Sequence, residues 1–167
     1  EKSMSSSNVR YSMGFMNYCS HDPGAALVRI EGNNMDYIFA EEGFLSRTKK
    51  SYQFPIRSLN YCLDYYGINI DDVDTFVFDY MDNKRTFRTS DNYRLLLGDF
   101  IRSNLKVNPK KIQFVDSHHL AHAYTAFYPS GFEEATILIV DGLGSAQQTH
   151  SVFKGSLNNG IECVFEQ

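Results

Sequence analysis

Period-two hydrophobic runs open this chain, helical periods interrupt them, and the order in which the two alternate leaves few folds open. Three strand-like segments come first, "YSMGFMNY", "GAALVRI" and "MDYIFAE". Glu31-Gly32-Asn33-Asn34 joins the last two, and Gly and Asn tolerate the positive φ that a tight hairpin needs. These predict an antiparallel meander. A basic loop, "SRTKKSYQ", then leads to Phe54–Tyr66, where Ile56, Leu59, Leu63 and Tyr66 recur at helical spacing between Pro55 and Gly67, a start and a stop for a helix. The strand "DTFVFDY", a helix in "NYRLLLGDFIRSNL", the strand "KIQFV", an Ala-rich helix in "HHLAHAYTAFY" and the apolar strand "ATILIVDG" follow.

An antiparallel meander feeding alternating α/β units predicts a mixed sheet with helices on its faces, the pattern of a ribonuclease-H-like lobe. The tail then repeats the opening. Both "GFMNYCSHDPGAALVRIEGNNMDYIFAE" and "TILIVDGLGSAQQTHSVFKGSLNNGIECVFEQ" run strand, Asp-containing turn, strand, Asn/Gly turn, strand ending in Glu. Duplication of this kind predicts two related lobes facing across a cleft, although any two meanders share some of it. The expected organisation is a polar, disordered leader over 1–9 with Met4 as a candidate start, a first lobe over 10–135, and the first strands of a truncated second lobe over 136–167. Apolar surface left bare by the truncation is expected to favour a homo-oligomer.

A chain of 167 residues with 43% hydrophobic composition can bury one good core, so one domain, or one and a fraction, is expected. Sixteen Lys and Arg stand against 20 Asp and Glu, a net charge of -4, which supplies no basic field for a phosphate backbone and argues against nucleic acid as a partner. Cys19, Cys62 and Cys163 are far apart and odd in number, which suits a reducing cytoplasm better than a disulfide framework. No apolar run reaches the length of a membrane span, and the N-terminus lacks a signal-peptide core.

The stretch "DSHHLAHAY" holds three of the five histidines within five positions. At i and i+4 on a helix, His118 and His122 can direct two imidazole nitrogens at one ion, while His119 lies roughly 100° around the axis. A zinc protease would carry Glu where His119 stands, since H-E-x-x-H takes its general base from that position. Asp141, at the carboxyl end of "TILIV", is the natural third ligand, and it equally suits a turn before Gly142. In "SHDPGAAL", His21 and Asp22 precede small residues that let a ligand approach the backbone, as they would in a plain Asp-Pro-Gly turn. Gly142, Gly144 and Ser145 form a Gly-x-Gly turn able to cradle phosphate. Arg47, Lys49 and Lys50 could meet an anion or simply line a solvated loop.

In order and spacing, "NYCSHDPGAALVRIEG", "AEEGFLSRTKKSYQFP" and "DSHHLAHAYTAFYPSGFEEATILIVDGLGS" resemble the N-terminal part of the O-carbamoyltransferases of antibiotic biosynthesis and nodulation-factor decoration. The resemblance runs from about Gly14 to the C-terminus. It implies the two-lobed fold of actin and the sugar kinases, shared with the tRNA threonylcarbamoyl transferase. It also implies an enzyme that makes carbamoyl-adenylate from ATP and carbamoyl phosphate in a separate C-terminal domain. The carbamoyl group would then pass to a small-molecule hydroxyl at a metal, Fe²⁺ or Zn²⁺. By the same resemblance His118 and His122 are metal ligands, and Asp141 is a ligand or a nucleotide-site residue. His119 becomes an acid/base or carbamoyl contact, and His21 and Asp22 line the cleft near the adenylate. Gly142, Gly144, Ser145, Arg47 and Lys49 are the expected cofactor contacts. The chain departs from the family where Glu-Glu-Arg-Phe-Thr-Arg becomes Glu42-Gly43-Phe44-Leu45-Ser46-Arg47 and Lys-His-Asp becomes Lys49-Lys50-Ser51. With the adenylate-forming domain and most of one lobe missing, the chain alone is expected to be inactive. Two other readings remain open on the sequence: a non-catalytic module that binds metal or nucleotide, and a tRNA-modifying relative.

Overall fold

A computed structural model of the chain describes residues 8–16, 22–49, 53–79, 105–115, 117–142, 144 and 148–167. The leader up to Ser7, His21, Lys50, Asp116, Ser145 and most of the helix expected in "NYRLLLGDFIRSNL" lie outside the described residues. The fold is mixed α/β. Its contacts divide it into two units, with Phe114–Gln167 in the second.

A five-stranded sheet of order β3-β2-β1-β4-β5 is made of β1 (Val9–Met16), β2 (Gly24–Glu31), β3 (Asn34–Glu41), β4 (Thr75–Asp79) and β5 (Ile112–Val115), and all of it but Asp79, Phe114 and Val115 belongs to the first unit. β1 pairs antiparallel with β2 and parallel with β4. The meander and the switch to parallel pairing are therefore both present, as a ribonuclease-H-like lobe requires. The β2–β3 hairpin closes through Gly32 and Asn33, Gly32 taking φ 60°.

Two helices follow β3: α1 (Glu42–Ser46), a stretch the sequence left unassigned up to the basic loop at Ser46, and α2 (Ile56–Tyr66). Gly67 ends α2 at φ 64°, donating to Asp64 while the Ile68 N–H reaches the Leu63 carbonyl at 3.2 Å, a paired closure of the last turn that suits a left-handed Gly. Pro55 offers no side-chain cap at the other end. Glu42 supplies one instead: its buried carboxylate accepts from both the Ser58 N–H and the Ser58 hydroxyl at 2.9 Å.

α2 lays Leu59, Cys62 and Leu63 into the core of this unit with Met13, Phe15, Leu27, Phe76 and Phe78. Phe15 and Phe78 stack with centroids 4.7 Å apart. Ile56, expected on the buried stripe, is 46% exposed, and Cys62 takes the inner place. Burial pushes the Cys62 thiol from its ordinary 9.0 up to about 11. A group that holds its proton longer when folded contributes stability in full below pH 9, and this is lost as pH rises through about 11. Iodoacetamide at pH 8 is therefore expected to alkylate exposed Cys163 in the native chain and Cys62 only after denaturation. Peptide mass spectrometry reads both sites, and native labelling of Cys62 would contradict this packing.

In the second unit β6 (Glu134–Val140), β7 (His150–Ser156) and β8 (Gly160–Glu166) form an antiparallel sheet of order β6-β7-β8. This is the repeated meander expected of the tail. β6 alternates: Ile137 and Ile139 are buried while Leu138 and Val140 are exposed. α3 (His118–Phe127), capped by the Ser117 hydroxyl accepting from the Leu120 N–H, packs Ala123 and Phe127 against Ile137, Ile139 and Phe153. By packing, this helix joins the second unit, whereas element order alone groups it with the first lobe. Among the described residues no helix is long and apolar enough to cross a membrane.

Candidate metal centre

The stripe that α3 buries runs His119, Ala123, Phe127, at intervals of four. His119 therefore belongs to the core face, and His118 and His122, each one position before a residue of that stripe, are left on a more open face. The two outer imidazoles meet, with His122 Nε2 3.0 Å from His118 Nε2. β6 ends at the same place. Its next residue, Asp141, puts Oδ2 3.2 Å from His118 Nε2, while Oδ1 accepts from the Gly142 N–H at 2.6 Å. The three ligand atoms all lie within 4.8 Å of one another.

This donor set fits a divalent cation. A proton on His118 Nε2 can point along only one of its two short contacts. A cation would satisfy His118 together with a neighbour, and the third donor of a set spanning up to 4.8 Å would move inward to complete it. Two donors each about 2.1 Å from a common ion stand about 3.0–3.4 Å apart at angles of roughly 90–110°, and the separations of 3.0 and 3.2 Å agree. His118, His122 and Asp141 thus come together as the sequence expects.

His119 is different. Its side chain is 0% exposed, Nδ1 lies 2.6 Å from the Ser151 hydroxyl, and Nε2 has no hydrogen-bond partner. Burial pushes the imidazole below its usual value, outweighing the opposite pull of Asp141, so the ring is neutral near pH 7. Gly144 is required here, because a Cβ at that position would stand 2.8 Å from His119 Nε2 and 2.9 Å from Gln148 Oε1. The Gly144 N–H donates to the Gln148 carbonyl at 2.7 Å.

Sequence reasoning missed Ser151 and Gln148, both buried and polar. Ser151 carries a signal all the same: it alternates with Phe153 and Gly155 on the inner side of β7, where an apolar residue is expected.

The first unit gathers other expected residues. Asp22, Arg47 and Lys49 line a cavity of about 750 Å³ together with Glu41, Gly43 and Phe44. Glu41 and Phe44 were not foreseen.

The family described as the carbamoyltransferase N-terminus matches residues 12–96, just over half of the 167. The chain belongs to this family. The nodulation protein NolNO of Sinorhizobium fredii is 36% identical over 147 residues, covering 80% of this chain and 21% of that protein. The uncharacterized protein sll1178 of Synechocystis is 29% identical over 166 residues, covering 83% of this chain and 26% of its own length. The chain thus spans about a fifth to a quarter of these family relatives. Among solved structures, YeaZ from Pseudomonas aeruginosa aligns with a TM-score of 0.48 at 10% identity, covering 95% of this chain and 66% of that one.

Proposed function

We propose that this chain is the N-terminal part of an O-carbamoyltransferase that moves a carbamoyl group from carbamoyl-adenylate, made from ATP and carbamoyl phosphate, to a small-molecule hydroxyl. The observation that carries the reading is the convergence of His118, His122 and Asp141 in a member of the carbamoyltransferase N-terminus family. In the reaction the acceptor oxygen bonds to the carbamoyl carbon, the bond from that carbon to the adenylate phosphate oxygen breaks, and the hydroxyl gives up its proton. Fe²⁺ or Zn²⁺ held by the three residues would act as a Lewis acid on the carbamoyl oxygen.

The donor's phosphate is assigned to the cavity of the first unit, where Arg47 and Lys49 supply cationic side chains. Asp22 and Arg47 line it with left-handed backbones, φ 52° and φ 59°, and a non-glycine residue in that region costs about 1–2 kcal/mol. An Arg kept where Gly would be more comfortable supports use of its side chain. Arg47→Gly is expected to raise stability by about 0.5–1 kcal/mol and to weaken binding of ATP by the full-length protein. Denaturant melts and nucleotide titration read the two effects, and a variant that binds ATP unchanged would remove Arg47 from the donor site.

The direct test follows label from carbamoyl phosphate, with ATP, into hydroxyl-bearing small molecules. The full-length protein is expected to transfer it and the 167-residue chain alone is not. Failure of the full-length protein with every hydroxyl acceptor would overturn the reading, and turnover by the short chain would overturn the division of labour.

A further inference from the structure

We propose that Ser151 and His119 form a positioning chain that aims the Asp141 carboxylate at the metal site. Ser151 donates to His119 Nδ1, and the Nε2–H of His119 faces Asp141 Oδ2. The inference rests on reading His118, His122 and Asp141 as metal ligands, and it gives His119 a role other than acid/base work.

His119 lies on the buried stripe of α3, away from the face that carries His118 and His122. The nearest charged atom to its Nε2 is Asp141 Oδ2 at 3.9 Å, and the Gly144 backbone lies close over the same nitrogen. A base needs a free lone pair and a path to the substrate, and here Nε2 is fully buried. A neutral imidazole has one N–H and one lone pair, and a carboxylate only accepts. Asp141 therefore calls the N–H to Nε2, and Nδ1 becomes the acceptor. Among the described residues the group at Nδ1 is the Ser151 hydroxyl at 2.6 Å, which can donate. The other carboxylate oxygen is already held by the Gly142 N–H, so both oxygens of Asp141 have a neighbour that orients them. Such outer partners of a metal ligand commonly contribute 10–100-fold in metal affinity.

Three measurements test this. In the 167-residue chain, ¹⁵N shifts of the His119 imidazole are expected to show a pyrrole-like Nε2 and a pyridine-like Nδ1, the latter changed by Ser151→Ala. The opposite tautomer, or shifts indifferent to Ser151→Ala, would overturn the positioning chain. In Zn²⁺ titration, Ser151→Ala and His119→Phe are expected to weaken binding by about 10–100-fold, with circular dichroism showing a folded chain. His119→Gln, whose amide N–H can replace Nε2–H, is expected to restore most of the affinity. In the full-length protein His119→Gln is expected to retain carbamoyl transfer, because an amide can orient a carboxylate but cannot act as a base. Loss of transfer with metal retained would return His119 to acid/base work and overturn the proposal. Absence of Zn²⁺ binding by the unsubstituted chain would sink the metal reading instead, and the tautomer would still decide how Ser151 and His119 are arranged, so the two failures are separable.

Discussion

His118→Ala or His122→Ala is expected to lower the affinity of the chain for Zn²⁺ or Fe²⁺ by more than about 100-fold, since loss of a ligand should exceed the 10–100-fold cost of losing an outer partner. Each substitution leaves one imidazole and one carboxylate, too few to hold the ion against water. His150→Ala is the matched control, because His150 is exposed at the start of β7 and its Nδ1 meets the neighbouring Thr149 hydroxyl at 2.9 Å. Calorimetric titration under reducing conditions reads all three. Equal loss in the control, or unchanged binding in the first two, would reduce the cluster to histidines at the start of a helix.

Phe127→Ala is expected to destabilise the second unit by about 3–5 kcal/mol, the usual cost of emptying a buried phenyl site. Phe127 is 2% exposed within a cluster of Ala123, Ile137, Ile139 and Phe153. Opposite it stands Gly155, where an added Cβ would come within 2.8 Å of the ring. The fit is close on both sides, so little relaxation can refill the space. A small unit has few other contacts to offset such a loss, and metal binding should disappear with the fold. Urea melts separate the two predictions: Phe127→Ala shifts the midpoint, whereas His122→Ala on the open face leaves it nearly unchanged. A Phe127→Ala midpoint equal to that of the parent chain would mean that α3 is not anchored through this ring.

Local chemistry alone determined the order of the described strands with α2 and α3, the two meanders and the i,i+4 pairing of His118 with His122, because alternation, helical period and turn residues act within a few positions. The same short range made Asp141 legible, as the first polar residue after an apolar strand. Period placed His119 on a different face from its neighbours, yet it could not say whether that face was buried. Only the packing of Ala123 and Phe127 on β6 and β7 decided this, and with it the 2.6 Å contact to Ser151, 32 residues away. Glu42 as the cap of α2 is a similar case, 16 residues from Ser58. Ile56 lies exposed and Cys62 buried for the same reason, since which edge of a helical stripe faces inward depends on the sheet beneath it. A contact between distant residues leaves no period in the sequence, so the partners of buried polar groups became visible only when the chain had folded around them.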